Sequence, residues 1–426
     1  MKQRPLIRFD RNSSMAKKLA HEVSYIVKQE RTQLFDFRKP DTAPILLILD
    51  RRNDPITPLL TPWTYQAMVH ELVGIQNNRV DLSNVPDISK DLKEIVLSAD
   101  KDPFFAKTMY LNFGDLGASI KDYVSQYQAK TKSNSVIESI ADMKRFVEDY
   151  PEFRRLSGNV SKHVTLVSEL SRLVSTNGDL LEVSELEQSL ACNDSHNSDM
   201  KNVQQMLVQS QVSANSKLRL VALYALRYQY HSNNATEALL GLLGTQHPEI
   251  ASKIHAVRIL VNSYAGGKQR QENLFASSSF FARAQSGFKG LKGVENVYTQ
   301  HEPLLKTTLT NLIKGKLKKT THPYYDPGDG SLPSWAVHGM GSGPGSNSDD
   351  GEKPQDIIIF MVGGTTYEEA RVVAEMNAVA RGVRILIGGT TIHNSQSFLN
   401  DIEDAGSRWP PPPPATASER LASRVH

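Results

Sequence analysis

The sequence predicts an α/β fold in which a parallel sheet is built from both ends of the chain and a large, mainly helical domain is inserted between them. Near the N-terminus, residues 44–50 (PILLILD) form a continuous apolar run, which is typical of a strand buried on both faces of a parallel sheet. Near the C-terminus, residues 357–370 and 384–397 each combine an apolar run, Gly-Gly-Thr-Thr and a segment that can begin a helix. Between these ends, from about residue 80 to 320, helical spacing of apolar residues dominates.

The first half of the α/β domain is assigned to residues 1–78. A helix is predicted over residues 12–39, because its start offers good N-cap residues and its apolar residues recur at helical spacing: Leu19, Val23, Ile26 and Val27. The strand at residues 44–50 follows, and the prolines of the next segment exclude a regular helix or a central strand there. A second helix is predicted from Trp63 to Gly74, with the glycine placed to close it.

The inserted, mainly helical domain is assigned to residues 79–322. Its clearest pattern is an apolar stripe over residues 140–174, whose mean step is close to the ~3.5 residues of a coiled-coil seam. Pro151 and Gly158 lie within this stripe, and a proline in a helix interior costs about 3 kcal/mol. The stripe therefore indicates either two helical pieces that meet at a hinge or a helix that can lengthen through Pro151. Pattern alone leaves open whether it belongs to a domain core or accepts a partner's helix.

Further helices are predicted after a turn at residues 175–179, over residues 216–230 and over residues 302–319. Residues 323–354 are rich in Gly, Ser, Pro and Asp, so a disordered insertion is predicted there. The second half of the α/β domain is assigned to residues 355–406. The polyproline tail at residues 407–426 is also predicted to be disordered.

Composition narrows the possible functions. The chain has 426 residues, 49 of them basic and 46 acidic, and this near-balance gives no reason to expect a nucleic acid partner. The single cysteine, Cys192, excludes an intramolecular disulfide framework and is typical of a reducing cytosol. The 12 histidines form no motif with metal-ligand spacing, so neither a metal nor a cofactor is predicted. No segment approaches the roughly 20 apolar residues of a membrane span, so membrane association is expected to be indirect.

The two Gly-Gly-Thr-Thr turns raise the question of nucleotide binding. A glycine-rich turn exposes backbone amides at a helix N-terminus, where the helix dipole favours an anion. The glycines concerned are Gly363, Gly364, Gly388 and Gly389. Neither copy continues into a P-loop, and after the first copy a threonine can form a capping box while Glu368 and Glu369 repel phosphate. We interpret the turns as structural strand-to-helix connections, with a nucleotide-binding enzyme as the alternative.

Asp50 and Arg51 follow the buried strand directly. A carboxylate at the carboxyl end of a parallel strand is where doubly wound enzymes place a metal or a catalytic acid. The alternative is an Asp–Arg network that pins the proline-rich loop against the sheet. No nucleophile stands at a recognisable motif spacing nearby, so we favour the network and predict no catalytic residue.

Four long stretches carry a family resemblance: LLILDRRNDPITPLLTPWTYQAMVHELVGI, YPEFRRLSGNVSKHVTLVSELSRLV, GLKGVENVYTQHEPLL and DIIIFMVGGTTYEEAR. Together they resemble the Sec/Munc (SM) family of SNARE-regulating proteins, and in particular its endosomal and trans-Golgi vacuolar-protein-sorting branch. The resemblance covers nearly all of residues 4–405. It implies an arch-shaped protein without catalysis that binds syntaxin-type SNAREs and SNARE bundles, promotes vesicle docking and templates SNARE pairing before membrane fusion.

In this family a helical hairpin of the inserted domain contacts the vesicle SNARE. The resemblance places that hairpin at about residues 136–190, with its hinge at Pro151. It assigns four further residues to the apolar side that faces a SNARE helix: Leu156, Val160, Val164 and Val167. It also implies a monomer that is cytoplasmic and peripheral on trans-Golgi and endosomal membranes.

One feature departs from the family pattern. Family members begin with a further α/β domain that lines the syntaxin-binding cleft, and this sequence starts after it. We therefore expect a fragment, an alternative product or a truncated gene model, in which SNARE binding is reduced.

Overall fold

The structure is a computed structural model that describes residues 4–30, 33–35, 42–86, 88–131, 139–140, 158–176, 180–264, 275, 300–328 and 354–408. The strands are β1 (Leu6–Phe9), β2 (Ile45–Asp50), β3 (Arg79–Asp81), β4 (Glu94–Val96), β5 (Asp356–Val362), β6 (Thr365–Thr366), β7 (Arg384–Gly389) and β8 (Ile392–His393). The helices are α1 (Ser14–Gln29), α2 (Tyr65–Leu72), α3 (Pro103–Thr108), α4 (Phe113–Thr131), α5 (Gly158–Thr176), α6 (Leu180–Cys192), α7 (His196–Val208), α8 (Ala214–Tyr228), α9 (Thr236–Gln246), α10 (Ala251–Ser263), α11 (Leu304–Ile313), α12 (Tyr367–Val379) and α13 (Ser395–Arg408).

A parallel sheet with the strand order β1-β2-β5-β7 forms the α/β part of the molecule. The central strand β2 places Ile45 opposite Leu6 of β1 on one side and opposite Ile357 of β5 on the other. Both faces of β2 are buried, which explains why its residues are apolar without alternation. The prediction of one parallel sheet from both chain ends is confirmed, because β1 and β2 precede the helical region while β5 and β7 follow it.

Helices cover the two faces of this sheet. On one face, the small residues Ala16 and Ala20 let α1 approach Ile7, Phe9 and Ile48 closely. On the other face, α11 and α12 pack on the apolar side chains of β2, β5 and β7 through Leu305, Leu309, Leu312 and Val373. The buried apolar side chains of β1, β2, β5 and β7 therefore divide between two separate cores, one on each face of the sheet.

The free edge of β7 is partly closed by a side chain. The backbone N–H of Ile385 donates to Oδ1 of Asn377 (2.8 Å), and Nδ2 of Asn377 donates to the carbonyl of Ile385 (2.9 Å). Asn377 lies on α12, so the helix that covers the sheet also occupies backbone groups of its edge strand. This arrangement satisfies two backbone groups that an edge strand would otherwise expose.

Two further apolar cores organise the helical part. One is shared by α2, α3, α4, α5 and the antiparallel pair β3–β4. The other is centred on α8, most of whose residues are buried because α6, α7, α9 and α10 surround it. The pair β3–β4 was not predicted within the mainly helical domain, since each of its strands is only three residues long.

Several predicted boundaries are wrong. α1 ends at Gln29 rather than at residue 39, since the following Glu30, Arg31, Thr32 and Gln33 supply no apolar residue for the core. α11 ends at Ile313 rather than at residue 319, because Gly315 takes a left-handed conformation with φ of 70°. α11 also packs on the sheet rather than within the inserted domain that was drawn to residue 322.

The C-terminal helix α13 packs in the helical part rather than on the sheet. It was assigned to the second half of the α/β domain (355–406), but its Phe398, Leu399 and Ile402 lie in the core around α8. Residues 323–325 line the outer edge of β1 rather than beginning a disordered insertion, since Tyr325 N donates to the carbonyl of Ile7 (2.8 Å). The rest of the predicted insertion and tail, apart from residues 326–328, 354 and 407–408, lies outside the described residues.

Candidate functional site

Asp50 lies at the carboxyl edge of the sheet, where a nucleotide-binding enzyme would place a metal or a catalytic acid. Oδ1 of Asp50 accepts the backbone N–H of Arg52 (2.9 Å), and Oδ2 accepts the Ser13 hydroxyl (2.5 Å) and Nη2 of Arg52 (2.7 Å). Burial by itself would raise the pKa of Asp50, but these donors offset burial and leave that pKa below its ordinary value. The carboxylate is therefore engaged in holding the loop after β2, as the predicted network requires.

Arg51 turns inward and pairs with Glu369 of α12. Nη2 of Arg51 lies 2.5 Å from Oε1 and Nη1 lies 3.1 Å from Oε2, and both side chains are almost completely buried. Glu369 also accepts hydrogen bonds from Thr366 N and from the Thr365 hydroxyl (2.9 and 3.0 Å). Burial raises the pKa of Glu369, while the Arg51 guanidinium opposes that rise. Because the Arg51 guanidinium donates to both oxygens and Oε2 also accepts from Thr365 and Thr366, we treat the carboxylate as ionised.

The first Gly-Gly-Thr-Thr turn builds the N-terminus of α12. Thr366 and Glu369 form the predicted capping box, in which each side chain bonds the other's backbone N–H. Gly363 and Gly364 have φ values of 82° and 89°, in the region that favours glycine. A Cβ at Gly364 would lie 2.4 Å from Cδ2 of His393, so this position also needs the missing side chain. With the two carboxylates of residues 368 and 369 in the first turn, an approaching phosphate would meet negative charge.

The second copy is not equivalent to the first. Gly388 and Gly389 lie within β7 rather than in a turn, and a Cβ at Gly389 would come 2.9 Å from the carbonyl oxygen of Met361. The helix that follows is capped by Asn394, whose Oδ1 accepts the backbone N–H of Ser397 (2.8 Å) while the Ser397 hydroxyl accepts the backbone N–H of Asn394 (3.0 Å). The expectation of two alike strand-turn-helix units is therefore wrong for Gly388 and Gly389.

Residues after both copies join the sheet to α2. Glu368 accepts the Thr64 hydroxyl at 2.5 Å. His70 accepts the backbone N–H of Ile75 at Nδ1, so its Nε2–H donates to the carbonyl of Ile392 (3.1 Å). Asn394 donates to the carbonyl of His70 (2.8 Å). The two turns thus form one side of a joint between the sheet and the helical part.

Arg219 of α8 extends this joint into the helical core. Its guanidinium lies 3.0 Å from Glu71, 3.1 Å from Glu187 and 3.2 Å from the Thr61 hydroxyl. Burial raises the pKa of Glu187, with Arg219 acting in the opposite sense. No sequence motif identifies these residues, because they come from distant segments. The one feature of the sequence that could indicate this contact is a charged residue among apolar ones, as Arg219 is in α8.

α5 carries the described part of the apolar stripe, and a buried polar chain anchors it. The Tyr65 hydroxyl lies 2.7 Å from Nδ1 of His163, and Nε2 of His163 lies 2.8 Å from Asp102. Burial raises the pKa of Tyr65 and lowers that of His163, so the tyrosine O–H donates to a neutral imidazole whose Nε2–H donates to the carboxylate. The order resembles a catalytic relay, but Tyr65 and His163 are fully buried, which leaves a substrate no access.

The residues predicted to face a SNARE helix divide into two groups. Val164 and Val167 are each 1% exposed and lie in the core shared with α2, so in this structure they are core residues rather than surface residues. Pro151 and Leu156 lie outside the described residues, as does most of the hairpin before residue 158. Val160 lies in the first turn of α5, and its side chain also lies outside the described residues.

Within the described part of the chain, no group of three or more His, Cys, Asp and Glu side chains could hold a metal ion. Cys192 is buried, and burial raises the pKa of its thiol to about 12, which makes it unreactive. None of the described helices has both the length and the apolar character needed to cross a bilayer.

Sequence comparison decides the family. The Sec1 family profile matches residues 1–401. The chain belongs to the Sec1 family. A Sec1-family relative from Schizosaccharomyces pombe, vacuolar protein sorting-associated protein 45, is 53% identical over 94% of this chain and 68% of its own length. The protein of the same name from Homo sapiens is 47% identical over 100% of this chain and 70% of its own length.

A solved Sec1-family structure is also similar. It is titled SM protein Vps45 in complex with the Qa SNARE Tlg2, and it has a TM-score of 0.78 and 53% sequence identity to this chain. The match covers 96% of this chain and 68% of that one. The α/β sheet with a helical insertion is therefore the Sec1-family fold, as the resemblance implied.

Proposed function

We propose that this chain is a non-enzymatic regulator of SNARE assembly that binds a syntaxin-type (Qa) SNARE and a vesicle SNARE in transport between the trans-Golgi and endosomes. The observation that carries this proposal is the similarity to the SM protein solved with a Qa SNARE, at 53% identity over 96% of the chain. Family membership over residues 1–401 supports the same function.

The arrangement of α5 supports a binding role for the hairpin at residues 136–190. Helix α5 is held on α2 and α3 by the hydrogen bonds that link Tyr65, His163 and Asp102 and by the buried Val164 and Val167. A helix anchored in this way gives a firm base from which the preceding segment can meet a partner. We assign SNARE contact to positions N-terminal to this anchor, including Leu156 and Val160, with Pro151 as the hinge.

The mechanism needs no covalent step. SNARE proteins pair through amphipathic helices, and apolar residues three or four positions apart on a regulator's helix can hold such a helix in a groove. Holding two SNARE helices side by side lowers the entropic cost of their pairing, which is how a template accelerates assembly. Association with trans-Golgi and endosomal membranes then follows from the bound SNAREs.

The test measures binding of two fluorescently labelled cytoplasmic segments, one from a vesicle SNARE and one from a Qa SNARE, to the full chain. Leu156→Asp and Val160→Asp should each weaken vesicle SNARE binding by about tenfold or more, because a carboxylate in an apolar contact loses hydration without gaining a partner. Val208→Asp is the matched control, since Val208 is 66% exposed on the remote helix α7. Binding unaffected by both hairpin variants, with circular dichroism unchanged, would refute the assigned contact surface. Failure of the unaltered chain to bind would refute the function.

A further inference from the structure

A cleft of about 570 Å³ opens at the carboxyl edge of the sheet, where β1, β2 and β5 end beside α11. Its volume falls within the range of roughly 300–1,000 Å³ that small-molecule sites occupy. Its position is also where open parallel sheets bind ligands. It is separate from the hairpin assigned to SNARE contact, and neither the joint nor the proposed function uses it.

The floor of the cleft is apolar. Leu49, Leu305 and Met361 line it, and all three belong to the core between the sheet and α11. The half-buried Leu304 and Leu317 also line the cleft and leave apolar surface exposed, and covering such surface with a hydrocarbon group is favourable.

Among the described residues, the lining contains four carboxylates, and each already has partners. Asp54 accepts hydrogen bonds from Thr57 N, the Thr57 hydroxyl and Leu304 N (3.1, 2.6 and 3.1 Å). Asp10 pairs with His322 (2.9 Å) and accepts the backbone N–H of Asp50 (2.8 Å). Asp50 pairs with Arg52, and Glu369 pairs with Arg51. An entering anion therefore meets carboxylates whose oxygens are already occupied by hydrogen-bond donors.

The rim of the cleft is cationic. Arg11, Lys316 and Lys318 line it and are exposed, and within the described residues none of the three lies within 4.0 Å of a carboxylate. Their segment is fixed: the backbone N–H groups of Lys316 and Leu317 both donate to the carbonyl of Asn311, at 2.7 and 3.0 Å. Nη2 of the buried Arg8 donates to the carbonyl of Leu317 (2.8 Å). The two lysines are therefore held at the rim by a structured loop.

A fourth donor lies deeper. Arg51 is 1% exposed and lines the cleft, and its Nε has no hydrogen-bond partner among the described residues. Buried donors without a protein partner are rare, so Nε of Arg51 is available to donate to a ligand in the cleft.

We propose that this cleft binds an amphiphilic phosphomonoester, with its alkyl chain on the apolar floor and its phosphate among Arg11, Lys316 and Lys318. A dianionic phosphate suits several converging cations, and an alkyl chain suits the floor below them. The same chemistry occurs in a single-chain phospholipid drawn from a membrane and in a free alkyl phosphate.

The experiment titrates the full chain with octyl phosphate below its micelle concentration and follows heat by calorimetry. We expect saturable binding at one site per chain. Lys316→Glu combined with Lys318→Glu should weaken it about tenfold or more, because two charge-assisted contacts are lost. Lys314→Glu should leave it unchanged, since Lys314 is an exposed lysine of the same segment that does not line the cleft. Thr307→Trp, which fills the cleft from α11, should also abolish binding, whereas Thr310→Trp on the same helix should not.

Three comparisons can overturn the proposal. If inorganic phosphate binds as tightly as octyl phosphate, the apolar floor does not contribute to binding. Equal losses in the Lys314 and Lys316/Lys318 variants would show diffuse attraction rather than a site. Absence of saturable octyl phosphate binding by the folded chain would refute the site outright. Vesicles with lysophosphatidic acid in the bilayer distinguish the two sources: depletion of that lipid by the chain indicates a membrane origin, and binding of octyl phosphate alone indicates a free metabolite.

Discussion

Glu369→Gln tests whether the buried pair with Arg51 holds the sheet to α12. Glutamine keeps the shape of the side chain and an oxygen that can accept Thr366 N, so the capping box is largely preserved. What it removes is the negative charge opposite a guanidinium whose two contacts measure 2.5 and 3.1 Å and whose side chain is 2% exposed. Removing one partner of a buried ion pair costs about 3–5 kcal/mol, because the other charge stays buried without compensation. We expect a loss of that size in the free energy of unfolding.

The assay is equilibrium urea unfolding followed by circular dichroism at pH 7. Glu375→Gln provides the control, since Glu375 pairs with Arg371 on the same helix but is half exposed, and an exposed pair contributes about 0–1 kcal/mol. Arg51→Met in the Glu369→Gln background should recover part of the loss, because it removes the uncompensated cation. If Glu369→Gln costs no more than Glu375→Gln, the pair does not have the role assigned to it.

Three further predictions concern the turn, the anchor and the stripe. Gly364→Ala should lower the unfolding free energy by about 2 kcal/mol or more, because φ is 89° and the new Cβ would meet His393. In the same urea unfolding assay, Gly117→Ala, in open space on α4, should be neutral or stabilising. The free energy of unfolding should fall as the pH drops below about 6.5, because burial lowers the pKa of His163 and the unfolded chain takes up the proton more readily. Urea unfolding at pH 7.5 and 5.5 should show a smaller fall in His163→Gln than in the unaltered chain. An equal fall in the two proteins would count against the neutral imidazole. Val167→Ala should cost about 2 kcal/mol of stability without changing vesicle SNARE binding by the folded protein, and a selective loss of that binding would contradict its place in the core.

The local features of this fold follow from neighbouring residues and were predictable for that reason. The Thr366–Glu369 capping box depends on two side chains three positions apart. Gly74 follows the end of α2 with φ of 101°, in the conformation expected of a closing glycine. The strand within residues 44–50 needs only an uninterrupted apolar run.

Contacts between distant segments were not predictable in the same way. Arg51 was expected to hold the loop after β2, yet its carboxylate partner is Glu369, 318 positions away. The joint around Arg219 depends on Glu71, 148 positions away, and on α6. Likewise, the sequence did not show that α11 packs on the sheet and α13 in the helical core. An apolar helix face indicates that the helix must be covered, but it does not indicate which segment covers it.

The sequence by itself determined the parallel sheet, the helical insertion and the family, because these depend on the order and period of apolar residues and on long matching stretches. Only the tertiary structure decided that Val164 and Val167 lie in the core and that the two Gly-Gly-Thr-Thr copies differ. Helical spacing is a property of one segment, whereas burial depends on which other segments pack against it, and for α5 those segments are α2, α3 and α4.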